Sequence, residues 1–362
     1  MTIRPTERID LRARAAPLPP ALRFDQIAAR DPAFRARFGR PCRLAEGGVA
    51  ELYVVFNREL RVYTCLKALD AEHAAVARFR DEFALEALIA ARASVSHHHT
   101  AQVISLGTVQ RRDYIEMRLY DGSLHELLHG SAMDVHQVLS LLCQALDALA
   151  CFHAQGFAHG DIKPANILVS GGVHAAVNDF GSATHTGPWS SPTPAIAVAG
   201  GSTQFVDHDL SNLLERVERM HRTHGVMATW SFLSPFQIRD RRPSAAGDVF
   251  AAAIIAYLAL TGGAHPFQVA GIPEGDHVRL ATTPMPTVTQ GLLWSGRTAR
   301  PRWPGAEAVV NHAMRGKLTA RQMAAALRRA LIEERAERDF VTKRAAEMKR
   351  PARWWSWLTW RR

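Results

Sequence analysis

Two short strings hold most of the chemically capable side chains of this 362-residue chain. The first, HGDIKPAN from His159 to Asn166, sets a carboxylate at Asp161, an ammonium at Lys163 and a carboxamide at Asn166. The second, NDFGSA from Asn178 to Ala183, follows the apolar run at 167–169 and adds a carboxylate at Asp179. Oxygen donors of this kind suit Mg²⁺, a carboxylate beside a hydroxyl can take its proton, and a lysine can neutralise developing charge. Phosphoryl transfer calls on all of these at once. Its loose transition state spreads charge over phosphate oxygens and needs positioned cations more than covalent help.

In this order and spacing the strings resemble the catalytic loop and the metal-binding loop of eukaryotic-like protein kinases, in particular the bacterial serine/threonine kinases. The resemblance implies roles for individual residues. Asp161 is the base for the acceptor hydroxyl, Lys163 reaches the transferring phosphate, Asn166 and Asp179 hold Mg²⁺, and ATP is the donor. It also implies an α+β, two-lobed kinase-like fold with a small β-rich N-lobe and a larger helical C-lobe.

That fold requires an upstream glycine-containing turn and a strand lysine. Residues 44–55 (LAEGGVAELYVV) resemble the phosphate-covering loop, with Gly47, Gly48 and Val49 at its tip, and residues 63–69 (YTCLKAL) carry Lys67. Ala45 and Ala50 occupy the first and third glycine positions of the family pattern. Alanine lacks the backbone freedom of glycine, so weaker ATP binding is expected. The helix-forming stretch 78–92 offers Glu82 and Glu86 one turn apart. Glu86, with the family-like separation from Lys67, is the preferred partner for that lysine, and Glu82 is expected to pair with a surface arginine at helical spacing. Residues 114–128 read as a strand, an adenine-binding connection and a helix start, with Met117 limiting pocket depth and Leu119 beside the base. An amphipathic helix is expected over 135–155.

Three departures from the family pattern bear on regulation. Gly160 stands where an arginine often precedes the catalytic Asp; that arginine pairs with a phosphorylated activation segment, so independence from such a switch is expected. Phe236 occupies the glutamate position of the segment-ending motif, and Lys317 the position of its arginine partner, so both members of a buried ion pair are changed. An insertion at about 187–225 lengthens the activation segment, with a helix-like run from Leu210 to Met220 that is a candidate docking element. Asp248, in the apolar stretch 247–267, is the expected anchor of the catalytic-loop backbone.

The expected organisation is an N-terminal extension at 1–40, a kinase domain at 41–335 divided into an N-lobe (41–118) and a C-lobe (119–335), and a basic Trp-rich tail at 336–362. Cys42, Cys65, Cys143 and Cys151 lack metal-ligand pairing and read as buried thiols of a reducing compartment. The triplet His97, His98 and His99 reads as a turn rather than a metal site. No run of eighteen uncharged apolar residues is present, so no membrane span is expected. Residues 343–362 carry seven Lys or Arg against one Glu, and four of the eight tryptophans fall among the last nine residues. Such a tail suits the boundary of an anionic bilayer, so an anionic membrane surface is an expected partner through residues 350–362. The expected location is cytoplasmic, peripheral to the inner face of the membrane. Nucleic acid is not expected as a partner, because the basic residues form no recognition module. A Ser/Thr-bearing protein is the expected substrate. The alternatives are a small-molecule kinase of the aminoglycoside or choline type, which shares the HGD and DxxxxN pattern but is disfavoured by Lys163, and a catalytically weak nucleotide-binding scaffold.

Overall fold

The computed structural model describes residues 22–130, 134–186, 229–297 and 302–348; the insertion at 187–225 and the tail at 350–362 lie outside them. The chain forms two compact units, Met1–Ala84 with Ile104–Leu119, and Leu85–Val103 with Tyr120–Arg362. Helix α4 passes from the first into the second.

The first unit begins with two short helices, α1 (Phe24–Ala28) and α2 (Pro32–Arg37). Asp31 caps α2 by accepting the Phe34 N–H at 2.8 Å, with Pro32 at the first helical position. Five strands follow: β1 (Cys42–Glu46), β2 (Ala50–Asn57), β3 (Val62–Leu69), β4 (Val103–Val109) and β5 (Arg112–Arg118), in the sheet order β1-β2-β3-β5-β4. Helices α3 (Ala71–Ala74) and α4 (Ala77–Ser96) lie between β3 and β4. Register pairs Lys67 with Ile115, Leu66 with Glu116 and Cys65 with Met117. Side chains alternate across a strand, so Leu52, Cys65, Lys67, Ile115 and Met117 share one face. Tyr53, Val55, Leu66, Ala68, Tyr114 and Glu116 share the other.

That second face is largely apolar and must be covered. Phe24, Ile27, Ala28, Phe34 and Phe38 cover it, forming one core with Tyr53, Val55, Leu66, Ala68, Val109 and Tyr114. Residues 24–38, which the sequence placed outside the kinase-like domain, therefore complete the small unit's core. The phenylalanines are at most 4% exposed, and each stabilises the unit by about 1.5–3 kcal/mol through burial.

The second unit contains β6 (Gly122–Ser123), α5 (Leu124–His129), α6 (Val135–Ala154), β7 (Phe157–Ala158), β8 (Ile167–Ser170), β9 (His174–Val177) and β10 (Thr184–His185). Beyond the insertion come α7 (Pro235–Asp240), α8 (Ala245–Thr261), α9 (Pro266–Val269), α10 (His277–Thr282), α11 (Val288–Trp294), α12 (Pro304–Ala313) and α13 (Ala320–Met348). β6, β8 and β9 form one small sheet, and β7 pairs with β10. Helix α8 is buried around nearly its whole circumference and is packed against α6 and α12. Helix α6 is long and apolar enough to cross a membrane by length and composition alone, which the sequence reading did not anticipate. Its Leu139, Leu142, Ala145, Leu146 and Leu149 are instead packed in this unit's core.

Among the cysteines, Cys65 and Cys143 are buried, whereas Cys42 is exposed and Cys151 half-buried. Burial pushes the Cys65 thiol up to about 11 and the Cys143 thiol up to about 12, which keeps both protonated and unreactive.

Phe236, at the family's glutamate position, packs its ring over Gly316 beside the exposed Lys317. A Cβ on Gly316 would lie 2.5 Å from the Phe236 ring, and the residue has φ +68°. An aromatic–glycine contact thus stands where the family has an ion pair. Gly316→Ala is expected to lower unfolding free energy by about 1–3 kcal/mol, from overpacking and positive φ together. Urea denaturation measures it, and a loss below about 0.5 kcal/mol would contradict this packing role.

The His97–His99 turn is clamped to β9: the Val177 N–H donates to the His99 carbonyl at 2.9 Å and the Ala101 N–H to the Val177 carbonyl at 2.8 Å. The His98 and His99 rings lie 4.0 Å apart, and His99 lies 4.9 Å from His174. Burial, aided by the neighbouring imidazoles, pushes His99 down to about 4 and lowers His97. The unfolded histidines titrate near 6.5, so between about pH 6.5 and 4 the unfolded chain binds more protons and stability falls with falling pH. After discounting for partial solvent exposure, acidification from pH 7 to 5 is expected to remove about 1 kcal/mol through His99. His99→Gln, compared with the unsubstituted protein in denaturant titrations at both pH values, should flatten that dependence.

Candidate active site

Asp161 sits in the loop between β7 and β8, and its carboxylate is the centre of a polar cluster. Lys163 Nζ donates to its Oδ2 at 2.6 Å, while the backbone N–H and hydroxyl of Thr229 donate to its Oδ1 at 3.1 and 2.9 Å. Lys163 Nζ also lies 3.0 Å from Thr229 Oγ1. Asn166, in the one-turn helix Pro164–Asn166, donates its amide to the Asp161 carbonyl at 2.8 Å. Three residues picked from one sequence string are thereby brought into one hydrogen-bonded group. Thr229, distant in sequence, joins it.

The loop backbone is held from below by Asp248, in the first turn of α8 and 1% exposed. Its Oδ2 accepts the His159 N–H at 2.7 Å and faces His153 Nε2 at 2.8 Å; its Oδ1 accepts the Gly160 N–H at 2.8 Å. His159 is fully buried and bridges two loops. Its Nδ1 accepts the Asp161 N–H at 3.3 Å and its Nε2 donates to the Asn178 carbonyl at 3.0 Å, which fixes the Nε2–H tautomer. The strings 159–166 and 178–183 are therefore tied through one imidazole.

Gly160 has a local reason for its identity. It adopts φ +84°, and a Cβ there would lie 2.7 Å from the Ser182 carbonyl and 2.9 Å from Pro243. No larger residue fits this backbone, so the arginine common in the family is excluded sterically. Gln237 braces the same residue, donating to the Gly160 carbonyl at 3.2 Å. Gln237 and His153 escaped sequence reasoning; the only available signal was the position of Gln237 directly after the segment-ending motif.

Asp179 has φ 66° and ψ 75°, a left-handed conformation that costs a non-glycine residue of order 1 kcal/mol and that recurs at functional sites. The next residue, Phe180, is buried against Phe152 and His159, at ring distances of 5.3 and 5.1 Å. Glu86, on α4, is 7% exposed. Its carboxylate lies beside Gly181: a Cβ there would be 3.5 Å from Glu86 Oε2 and 3.8 Å from Asp179 Oδ1. Glu82 pairs with Arg78 at 2.8 Å, one helical turn away.

The remaining sequence-derived residues belong to the first unit. Lys67 is half-buried on β3, and Met117 is buried near the end of β5 on the same sheet face, with Leu119 half-buried just after it. Gly47, Gly48 and Val49 form the exposed turn between β1 and β2, closed by the Gly47 N–H donating to the Ala50 carbonyl at 2.8 Å. Ala45 and Ala50 lie in the strands themselves, where alanine carries no conformational penalty. The turn glycines have negative φ. A Cβ on Gly47 would lie 3.1 Å from the Ala50 carbonyl, so a side chain there would press on the turn.

A β-rich unit with a strand lysine, and a helical unit whose loops present Asp161, Lys163, Asn166 and Asp179, are the elements of the protein kinase type. The chain belongs to that family: residues 41–277 match the protein kinase domain. It is similar to the serine/threonine-protein kinase PknL of Mycobacterium bovis, 29% identical over 243 residues that cover 66% of this chain and 53% of that protein. It is also similar to the probable serine/threonine-protein kinase PknA2 of Bifidobacterium longum, 27% identical over 224 residues, or 60% of this chain and 26% of that one. The chain thus spans about half, or less, of the length of these relatives. The PknI kinase domain of Mycobacterium tuberculosis shares the fold, with a TM-score of 0.50 at 19% identity over 81% of this chain and 96% of that one.

Proposed function

We propose that the chain is an ATP-dependent protein serine/threonine kinase with Asp161 as its base. The observation that carries this reading is the Asp161 carboxylate, held at once by Lys163 and Thr229 with Asn166 against its backbone. Asp161 takes the proton of the acceptor hydroxyl as its oxygen bonds to the γ-phosphorus of ATP, and the bond from that phosphorus to the β,γ-bridging oxygen breaks to release ADP. Lys163, half-buried beside it, places positive charge where the transferring phosphate gains negative charge. Asn166 uses its amide N–H toward the Asp161 carbonyl and so offers a carboxamide oxygen as donor. With the Asp179 carboxylate it makes a hard, all-oxygen pair that fits Mg²⁺, and these two residues would hold the ion. Bound Mg²⁺ supplies charge neutralisation on the triphosphate. Lys67, Gly47, Gly48 and Val49 are assigned to the ATP phosphates, Met117 and Leu119 to the adenine, and Glu86 to orienting Lys67.

Purified protein incubated with γ-labelled ATP and Mg²⁺, with phosphosite mapping, tests the reading. Label on Ser or Thr of the protein or of an added substrate supports it. ATP bound without any protein labelled would replace it with a small-molecule acceptor or a scaffold role.

We further propose that the tail docks on anionic lipid at the cytoplasmic face of a membrane. Helix α13 precedes it in sequence and carries exposed Phe340 and Val341, with the Arg344 guanidinium 5.9 Å from the Phe340 ring, a mixed apolar and cationic surface suited to a bilayer boundary. Deleting residues 350–362 is expected to weaken sedimentation with phosphatidylserine vesicles about tenfold or more while sparing phosphoryl transfer. Equal sedimentation of both forms would remove this assignment.

A further inference from the structure

Strand β5 ends at the segment assigned to adenine, and its outward residues Arg112, Tyr114 and Glu116 all engage the N-terminal segment 22–38, which lies before the matched kinase region. At the start of β5, Arg112 is 6% exposed and donates to the Leu69 carbonyl at 2.7 Å, to the Leu22 carbonyl at 3.0 Å and to Glu51 Oε2 at 2.8 Å. The same Glu51 oxygen accepts the Phe24 N–H at 3.3 Å. In the middle, the Tyr114 ring packs against Phe24, Phe34 and Phe38 at 5.8, 6.0 and 6.1 Å. At the far end Glu116, fully buried, takes four donors: Ser105 Oγ at 2.6 Å from β4, Asn57 Nδ2 at 2.7 Å from β2, Thr64 Oγ1 at 3.0 Å from β3, and Arg37 Nη2 at 2.9 Å from α2.

Of those four donors only Arg37 is a cation. A buried carboxylate left without countercharge is strongly destabilised, so the charge that lets Glu116 sit inside the sheet is supplied by the N-terminal segment. Glu116 directly precedes Met117, and the alternation that turns Glu116 toward α2 turns Met117 and Ile115 to the face that carries Lys67.

We propose that residues 22–38 are a built-in brace for the nucleotide-binding strand, and that Arg37 is a positioning residue: through Glu116 it fixes β5 and so sets the affinity for ATP. The ATP part rests on the kinase reading above; the brace itself does not.

The test uses the full chain with Arg37→Ala and Arg37→Lys, followed by hydrogen exchange and by ATP titration. Exchange in residues 112–118 should quicken about tenfold in Arg37→Ala while that of α8 stays unchanged. The ATP dissociation constant and KM should rise about tenfold, with kcat falling by less, and Arg37→Lys should recover part of the loss. Unchanged exchange in 112–118, or a rise spread evenly through α8 as well, overturns the brace. Localised loosening with unchanged ATP affinity overturns the link to nucleotide binding. Failure of the unsubstituted protein to bind ATP would refute the nucleotide reading, and the exchange measurement would still decide the brace. Should Arg37→Ala not fold, the same readouts on Arg37→Lys carry the decision.

Discussion

Replacing Asp161 by asparagine is expected to lower kcat by about 10³-fold or more with little change in stability. The two side chains have the same shape, so the loop need not move. What is lost is the basic oxygen that accepts the hydroxyl proton, together with the charge that holds Lys163 and Thr229 in place. General-base catalysis alone is commonly worth 10²–10⁴-fold, and loss of alignment at the attacking oxygen adds to it. Stability should fall by only about 1 kcal/mol or less, because the Lys163 side chain is 26% exposed and its ammonium can turn to water when its partner is neutral. Single-turnover transfer from labelled ATP reads the first quantity and thermal unfolding the second. Transfer within tenfold of the unsubstituted protein would remove Asp161 from the role of base. A large fall in melting temperature would instead make it a structural residue.

The residues at Asp161 were legible before any coordinates because phosphoryl transfer compresses its chemistry into two contiguous strings. Spacing within a loop survives translation into geometry. The long elements were legible too: the apolar pattern over 135–155 becomes α6, and the expected helix at 78–92 becomes α4, extended to Ala77–Ser96. Residues 24–38 were not. Helices of five and six residues are too short to display a 3.6-residue period, and Phe24, Phe34 and Phe38 read as isolated aromatics in an Arg-, Ala- and Pro-rich stretch. Their meaning comes from the sheet face they cover, and that face is specified by strands up to ninety residues away. Two further supports of the catalytic loop were hidden for the same reason: Gln237 acts on Gly160 across 77 residues of sequence and His153 on Asp248 across 95. Asp248 itself was legible through the family resemblance, and the structure places its carboxylate on the loop N–H groups as expected. Gly160 was legible as a departure but not as a necessity, because only the backbone path past Ser182 and Pro243 shows that a side chain is excluded.

That backbone path makes Asp248 the second position of large effect. Its two oxygens satisfy the N–H groups of His159 and Gly160 and the Nε2 of His153, all in a region almost without solvent. Asp248→Ala strands three donors at once, and unmet buried donors cost about 1–3 kcal/mol each, so a loss of about 3–5 kcal/mol is expected after partial relaxation. Asparagine does not rescue the site. Its NH₂ group would face an N–H or the imidazole donor whichever way the amide is turned. Catalysis should suffer with stability, because Gly160 at φ +84° is kept in place by its hydrogen bonds to Asp248 and Gln237, and Asp161 is the next residue. A shift of about 1 Å in the base is enough to cost on the order of 10²-fold in rate. Urea titration and kcat at saturating ATP should therefore both fall for Asp248→Ala and for Asp248→Asn. If either variant retains kcat within threefold of the unsubstituted protein, the loop geometry is fixed by other contacts and Asp248 serves stability alone.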